Sequence, residues 1–139
     1  MTIRIGINGF GRIGRAICRA VFERDDGKCV IAGINSLEEP EYLAYLFKHD
    51  TVHGKFSGTV SHTQDSLVIN GQKIKVFANR NPAEIDWKSA SVEYVCECTG
   101  FFTTSEAASG HINRKDGAKY VVISAPPKDN TKNVCNWSE

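Results

Sequence analysis

The run Ile3-Arg4-Ile5-Gly6-Ile7-Asn8-Gly9-Phe10-Gly11-Arg12-Ile13-Gly14-Arg15 decides the fold of this chain of 139 residues. Residues 3–8 alternate as an apolar, β-branched strand, and apolar residues at helical spacing follow the loop. Between them, Gly9, Gly11 and Gly14 fit the pattern G-x-G-x-x-G. In a strand–turn–helix unit these glycines make the turn, admit a pyrophosphate and let the helix pack on the strand. The run therefore predicts a dinucleotide site; the alternative is a βα turn with only a structural role.

A second apolar strand over 29–35 completes a βαβ unit of about 30 residues, the expected length. An acidic residue at the end of this strand commonly hydrogen-bonds the adenosine ribose. Here Asn35 and Ser36 stand at that point, and Glu38 is the next carboxylate. Ser36 would not repel a 2′-phosphate as a carboxylate would, although Glu38 could still swing toward the ribose. Ser36 could equally be a helix cap or a turn residue.

Composition and charge exclude several classes of function. The chain has 17 basic and 16 acidic residues, a net charge of +1, so its charge favours neither nucleic acid nor a membrane surface. No apolar run approaches the roughly 18–20 residues of a membrane span, and the N-terminus lacks a signal-peptide core. We therefore expect a cytoplasmic, soluble domain with no membrane partner and no nucleic-acid partner.

The cysteines and histidines show no recognisable disulfide or metal pattern. The 5 cysteines are odd in number and contain no C-x-x-C spacing. Cys96 and Cys98 alternate along a predicted strand, and we interpret them as small buried residues rather than a redox pair. His49 and His53 have the i, i+4 spacing of helical metal ligands, but Gly54 indicates that the helix is ending. We expect a loop there and no metal site.

The rest of the chain alternates strand and helix patterns. We predict strands at 3–8, 29–35, 57–61, 67–70, 73–77, 92–98 and 119–124, helices at 11–23, 40–48 and 104–113, and a short helix from Pro82 toward Trp87. Asn70-Gly71 predicts a hairpin turn within a small β excursion. The alternation predicts an α/β fold, a Rossmann-type, doubly wound, mostly parallel sheet that carries this β excursion.

Several segments are similar, in order and without large gaps, to one family of enzymes. They are Asn8–Arg15, Tyr42–Phe56, Leu67–Gly71, Asp86-Trp87, Glu97–Thr104 and Val122–Pro126. Over residues 1 to about 131, the chain thereby resembles glyceraldehyde-3-phosphate dehydrogenase. Erythrose-4-phosphate dehydrogenases are similar at the start, but Ser124-Ala125-Pro126 looks more like the glyceraldehyde-3-phosphate branch. The resemblance implies a Rossmann-type fold that is incomplete relative to the family.

The resemblance also implies which residues hold a cofactor. The family's contacts carry over to Asn8, Gly9, Phe10, Gly11, Arg12, Ile13, Gly14, Asn35, Ser36, Arg80, Thr99, Gly100, Phe102 and Ser124. In that pattern the backbone N–H groups of Arg12 and Ile13 hold the pyrophosphate. Arg80 lies beside the adenine, Thr99 sits under the cofactor, and Ser124 approaches the nicotinamide.

Cofactor choice turns on Ser36, because the NAD-specific pattern of the family has Asp at this position. The resemblance therefore implies NAD as the cofactor and leaves room for NADP. The next strand and the covering helix of the family are missing after 119–124, which would leave an open sheet edge and apolar side chains, so we expect the chain to form a homo-oligomer.

The catalytic motif of the family is not found among the 139 residues. Oxidation of an aldehyde in this family uses a thiolate with a histidine base, and the thiolate stands in Ser-Cys-Thr-Thr-Asn. None of the 5 cysteines stands in such a motif, so we assign no catalytic residue. We predict a dinucleotide-binding domain over 1–132 that binds without catalysis. Two alternatives stay open: one half of a split, active dehydrogenase, or a non-catalytic, self-associating remnant.

Residues 133–139 do not resemble the family, and we interpret them as a non-family tail. A one-base insertion in an adenine run at the codon of Lys132 would explain them. It converts a family-like continuation, Thr-Tyr-Val-Ile-Gly-Val-Asn, into Asn-Val-Cys-Asn-Trp-Ser-Glu, the sequence of this tail. The hypothesis is a frameshift that truncates the product. Unrelated codons at this point of the gene would contradict it.

Overall fold

The computed structural model describes residues 2–24, 26–112 and 115–130. The predicted tail at 133–139 lies outside these residues. The strands are β1 (Ile3–Asn8), β2 (Cys29–Asn35), β3 (His49–Asp50), β4 (Gly54–Lys55), β5 (Val60–His62), β6 (Ser66–Ile69), β7 (Gln72–Phe77), β8 (Tyr94–Glu97) and β9 (Tyr120–Ile123). The α-helices are α1 (Arg12–Arg24), α2 (Pro40–Lys48) and α3 (Ser105–Ala108), and 3-10 turns span Pro82–Glu84, Trp87–Ala90 and Ser109–His111.

One sheet of seven strands organises the described residues, in the order β5-β6-β7-β2-β1-β8-β9. The pairs from β7 through β2, β1 and β8 to β9 are parallel, whereas β5, β6 and β7 pair antiparallel. The Rossmann-type, mostly parallel sheet is therefore confirmed, and the β excursion forms its antiparallel edge. β1 lies where the strand order reverses, between β2 and β8. Open α/β sheets bind their ligands at such a switch point.

Apolar side chains cover both faces of the sheet. On one face, helices α1 and α2 pack through residues such as Cys18 and Phe47 onto the buried isoleucines of β1 and β2. On the other face, the 3-10 turns bring Trp87 and Ile85 against the sheet, both with no exposed surface. Trp87 lies directly over Gly6, where an added Cβ would come within 2.7 Å of the indole ring. A side chain on this central strand would therefore displace the core on that face.

The bounds of β1, β2 and α2 agree with the predicted ones, and α1 is displaced by one residue at each end. The predicted helix at 104–113 is wrong in length, because α3 ends at Ala108 and a 3-10 turn follows. Ser109 and Gly110 have low helix propensity, and the Ser109 hydroxyl donates to the carbonyl of Glu106 at 2.6 Å. These two residues explain why the helix is short. Residue 113 lies outside the described ranges.

The predicted short helix from Pro82 toward Trp87 is instead two separate 3-10 turns. The side chain of Asn81 accepts a backbone hydrogen bond and caps the first turn. The side chain of Asp86 does the same for the second turn, so a new turn begins there and the first does not continue. Two competing caps explain the interruption.

The segment after α2 forms a short hairpin of two-residue strands that the sequence did not predict. His49 lies in β3 and His53 lies in the connecting turn, so the expectation of an irregular loop is wrong for His49. The predicted Asn70-Gly71 turn is confirmed, with φ values of 50° and 80°. The other predicted strands differ by a few residues at their ends. None of the helices in the described ranges is long and apolar enough to cross a membrane.

Candidate dinucleotide-binding site

Each glycine of the loop after β1 has its own reason to lack a side chain. Gly9 has a φ of 91°, and an added Cβ would lie 2.9 Å from the methyl carbon of Thr99. A Cβ on Gly14 would overlap the carbonyl oxygen of Gly9, because α1 packs directly on the loop. A Cβ on Gly11 would meet nothing within 4 Å among the described residues. The fold therefore requires Gly9 and Gly14 but leaves open space at Gly11.

The open space at Gly11 adjoins the N-terminus of α1, which begins at Arg12. The first N–H groups of a helix have no partner within it, and they lie at the positive end of its dipole. The first turn of α1 holds no acidic residue that would compete for these groups. A pyrophosphate fits this arrangement, since the space that a side chain at Gly11 would fill is next to free donors.

A cleft of about 340 Å³ opens beside this loop, at the carboxyl ends of four parallel strands. Its lining residues follow β1, β2, β7 and β8 in turn, and are Asn8, Gly9, Asn35, Ser36, Leu37, Glu38, Asn79, Arg80, Thr99, Phe101 and Phe102. The lining combines amide side chains with the apolar residues Leu37, Phe101 and Phe102. The mixture suits a nucleoside, which has an apolar base and a polar ribose.

A buried carboxylate, Glu97 at the end of β8, lies beneath this cleft with 1% of its surface exposed. Burial alone raises the pKa of Glu97, but hydrogen bonds from His111, Thr99 and Asn8 outweigh it, so the pKa lies below its usual range. Glu97 therefore remains ionised at neutral pH. Its negative charge is balanced by hydrogen-bond donors rather than by a lysine or arginine.

A row of amides continues this network across the sheet. The amide of Asn35 donates to Oδ1 of Asn8 at 2.8 Å and to the carbonyl of Asn79 at 2.8 Å. The backbone N–H of Asn79 donates back to Oδ1 of Asn35 at 2.9 Å. Asn8 and Asn35 are both buried, so their side chains form the floor of the cleft. The row joins the carboxyl ends of β7, β2 and β1.

The structure brings together part of the predicted cofactor set in this cleft. The members that line it are Asn8, Gly9, Asn35, Ser36, Arg80, Thr99 and Phe102. Arg12 and Ile13 instead line an adjoining hollow of about 720 Å³ between α1 and the β3–β4 hairpin. Gly11 lies in the loop and Gly14 in the first turn of α1, and neither is among the residues that line these two spaces.

The remaining predicted residues lie outside the cleft lining. The side chain of Phe10 is 4% exposed and faces Phe47 at 6.1 Å between ring centroids, so it belongs to the core. Gly100 is exposed beyond β8, with a φ of 78°. Ser124 is exposed just beyond β9, and its N–H donates to the carbonyl of Glu97 at 3.0 Å. Both residues are thus at the carboxyl edge of the sheet.

Sequence reasoning missed four residues that line the cleft or support it: Leu37, Asn79, Phe101 and Glu97. Phe101 is 84% exposed, which is unusual for a phenylalanine and marks the mouth of the cleft. A charged residue inside the apolar strand at 94–97 was a signal for Glu97. Asn79 carried no comparable local signal.

The corner of the cleft after β2 holds the residues expected to meet the ribose. The hydroxyl of Ser36 accepts a hydrogen bond from the N–H of Glu38 at 3.4 Å, which is a turn contact. Ser36 is half-buried and Glu38 is exposed, and both line the cleft. Ser36 therefore acts as a turn residue while its side chain stays at the cleft wall.

Three of the described cysteines, Cys18, Cys96 and Cys98, lack the surroundings of an activated thiol. Burial raises the pKa of Cys18, raises that of Cys96 to about 11, and also raises that of Cys98. A nucleophilic cysteine needs the opposite shift. Cys96 and Cys98 are half-buried rather than buried as expected. Among the residues described, no group of His, Cys, Asp and Glu side chains could hold a metal ion.

Comparison with known proteins identifies the family of this domain. The family model described as "Glyceraldehyde 3-phosphate dehydrogenase, NAD binding domain" matches residues 3–105. A glyceraldehyde-3-phosphate dehydrogenase of Ogataea parapolymorpha is 54% identical over 129 residues, which is 93% of this chain and 38% of that protein. That of Shimwellia blattae is 51% identical over 131 residues, or 94% of this chain and 38% of that protein. Glyceraldehyde-3-phosphate dehydrogenase 2 of Drosophila pseudoobscura pseudoobscura is 54% identical over 132 residues, or 95% and 39%.

The chain spans somewhat over a third of the length of these curated relatives. The matched region contains the glycine loop, the cleft and the buried carboxylate. Its cofactor is NAD, as the matched domain's description states. The chain belongs to the family of glyceraldehyde-3-phosphate dehydrogenase NAD-binding domains.

Proposed function

We propose that this chain binds NAD in the cleft beside Gly9–Gly14 and serves an enzyme that oxidises an aldehyde phosphate. The pattern of the three glycines carries this proposal: two are required by the fold, and Gly11 is open where a pyrophosphate would lie. When bound, NAD supplies the hydride acceptor for such an oxidation. The residues of this chain bind and orient the cofactor.

Different parts of the site would hold different parts of NAD. The loop at Gly11 and the first turn of α1 would hold the pyrophosphate. The apolar lining residues Leu37, Phe101 and Phe102 would contact the adenine, with Arg80 beside it. Ser36 would face the ribose.

We also propose that the 139 residues, on their own, bind the cofactor without catalysis. The Ser-Cys-Thr-Thr-Asn motif does not occur in the sequence. Burial raises the pKa of Cys18, Cys96 and Cys98, which disfavours the thiolate. The proposed domain covers 1–132, and 133–139 is proposed as a non-family tail.

Calorimetric titration with NAD tests the binding proposal. Gly11→Val would place a branched side chain in the pyrophosphate space while leaving the fold intact, so we expect Kd to rise at least about tenfold, or 1.4 kcal/mol. Ala20→Val is the matched control, because Ala20 is exposed on the same helix away from the loop. Equal Kd values for wild type and Gly11→Val would show that the site is misplaced. Formation of NADH from glyceraldehyde 3-phosphate by the 139 residues would contradict the non-catalytic proposal.

A second titration, with NADP, tests cofactor choice. Ser36 presents no charge to a 2′-phosphate, and the positively charged Arg80 lines the same cleft. We expect NADP to bind within about tenfold of NAD, a difference of roughly 1.4 kcal/mol. Ser36→Asp should shift the preference to NAD. A wild-type protein that binds NAD and ignores NADP would indicate that Glu38 fills the role of the missing carboxylate.

A further inference from the structure

Both oxygens of the buried Glu97 carboxylate are occupied by donors from other elements. Oε2 lies 2.6 Å from the amide nitrogen of Asn8 and 2.5 Å from Nε2 of His111. Oε1 accepts the hydroxyl of Thr99 at 2.6 Å and its backbone N–H at 3.1 Å. A buried carboxylate is costly unless its hydrogen bonds are made, and here they come from both sides of the glycine loop.

The fully buried Trp87 determines which nitrogen of His111 carries the proton. The indole N–H only donates, and it lies 3.0 Å from Nδ1 of His111, so Nδ1 must accept. In the neutral ring the hydrogen is then on Nε2, where it donates to Glu97. Trp87 therefore donates to His111, and His111 donates to Glu97, in one directed chain of hydrogen bonds.

The two other partners of Glu97 meet at Gly9. Asn8 precedes Gly9 in the chain, and the backbone nitrogen of Thr99 lies 3.0 Å from where a Cβ on Gly9 would be. Gly9 is held between them with a φ of 91°. The carboxylate of Glu97 thus connects the residue before the turn with the residue packed across it.

We propose that Glu97 is a positioning residue for the dinucleotide, which clamps Asn8 and Thr99 around Gly9 and so fixes the loop that receives the pyrophosphate. The inference rests on the proposed binding of NAD at this loop. It differs from a purely structural role, in which Glu97 would only stabilise the sheet and the loop would keep its shape without it.

Glu97→Gln tests the clamp, because it keeps the volume and replaces one acceptor with a donor. The new amide faces the donors of Asn8 and His111, or of Thr99, so the loop loses at least one of its holds. We expect the Kd for NAD to rise about tenfold, the lower end for loss of a charged hydrogen bond. The stability control is Ile69→Ala, which removes a buried side chain on β6, a strand that pairs with neither β1 nor β8, and keeps Trp87, His111 and Glu97 in place. It should lower the melting temperature while changing Kd less than about twofold.

A second readout needs no dinucleotide. In ¹⁵N-labelled protein without NAD, Glu97→Gln should shift the backbone amide resonance of Gly9 and the side-chain amide resonance of Asn8, and Ile69→Ala should leave both in place. If Glu97→Gln fails to fold, Thr99→Val and Thr99→Ser replace it, since only serine keeps the hydroxyl donor. Valine should then weaken binding more than serine and should move the Gly9 resonance further.

The outcomes separate the clamp from the proposed function. Unchanged Kd and unchanged Gly9 resonance in Glu97→Gln would overturn the clamp while NAD binding stands. Equal loss of affinity in Glu97→Gln and Ile69→Ala would overturn it in favour of a general stabilising role. Absence of NAD binding by the wild type would contradict the proposed function alone, and the Gly9 resonance would still decide whether Glu97 holds the loop.

Discussion

Replacing Gly14 with alanine should destabilise the fold, whereas the same replacement at Gly11 should not. A Cβ added at Gly14 would overlap the carbonyl oxygen of Gly9 and lie 3.0 Å from Cγ2 of Ile7. A backbone oxygen cannot rotate away as a side chain can, so α1 must move off β1. Overpacking of this kind costs about 3 kcal/mol at the upper end of its usual range. Alanine regains up to about 1 kcal/mol of helix propensity, which leaves a net loss of roughly 2 kcal/mol.

At Gly11 the same methyl group meets open space, and the backbone there has no positive φ that would strain alanine. We expect a change within about 0.5 kcal/mol, as for an unconstrained surface position. The two variants thus differ only in where one methyl group is placed. Their comparison shows which glycine the packing of the fold requires and which one lies beside open space.

Urea denaturation without NAD measures both free energies of unfolding, and thermal melting gives a second measure. Gly14→Ala should lower the melting temperature by about 8 °C at roughly 4 °C per kcal/mol, and Gly11→Ala by no more than about 2 °C. If Gly14→Ala unfolds at the wild-type urea concentration, α1 does not pack on the carbonyl of Gly9. If Gly11→Ala loses as much stability as Gly14→Ala, the space at Gly11 is not open.

Three further predictions concern charge, association and thiols. Folding lowers the pKa of Glu97, so the ionised carboxylate stabilises the fold above its ordinary pKa of 4.5, and this stabilisation is lost as the pH falls below that value. The free energies of unfolding of wild type and Glu97→Gln, measured in urea, should therefore converge below about pH 4.5. On the edge strand β9, Tyr120 is 55% exposed and Val122 is 54% exposed, so we expect the 139-residue chain to self-associate. In sedimentation, Val122→Lys should shift the protein toward a monomer, and a monomeric wild type would refute the prediction. Burial raises the pKa of the Cys18 thiol, so iodoacetamide at about pH 8 should alkylate Cys18 slowly in the folded protein and quickly after unfolding in urea. Rapid labelling of the folded protein, detected by mass spectrometry, would contradict the burial of this thiol.

The elements predicted well from the sequence were those with strong local signals. β1 and β2 are runs of β-branched residues bounded by glycine or by turn residues, and the Asn70-Gly71 pair marks its turn by conformation alone. Their bounds follow from side-chain properties of neighbouring residues. The prediction failed at Ser109-Gly110, where low helix propensity overrides an otherwise helical pattern.

The candidate site was predicted only in part for a different reason. The glycine spacing is a local pattern, and it located the loop. The partners of Glu97 are more distant in sequence: His111 is 14 positions away, and Asn8 is 89 positions away. Such contacts depend on which strands become neighbours, and no window of sequence contains that information. Phe10 was assigned to the cofactor by its place in the motif, yet the loop directs its side chain into the core against Phe47.

The hydrogen bonds around Asn8 also bear on how the protein ages chemically. Asparagine followed by glycine is prone to deamidation, in which the next backbone nitrogen attacks the side-chain amide carbon. In the folded chain the nitrogen of Gly9 donates to the carbonyl of Asn35 at 2.9 Å, and the amide of Asn8 is buried and bonded to Glu97. The other such pair, Asn70-Gly71, is exposed at its hairpin turn. We therefore expect deamidation at Asn70 rather than at Asn8. Conversion of Asn8 to aspartate would place its new carboxylate against that of Glu97, and folding protects the chain from this change.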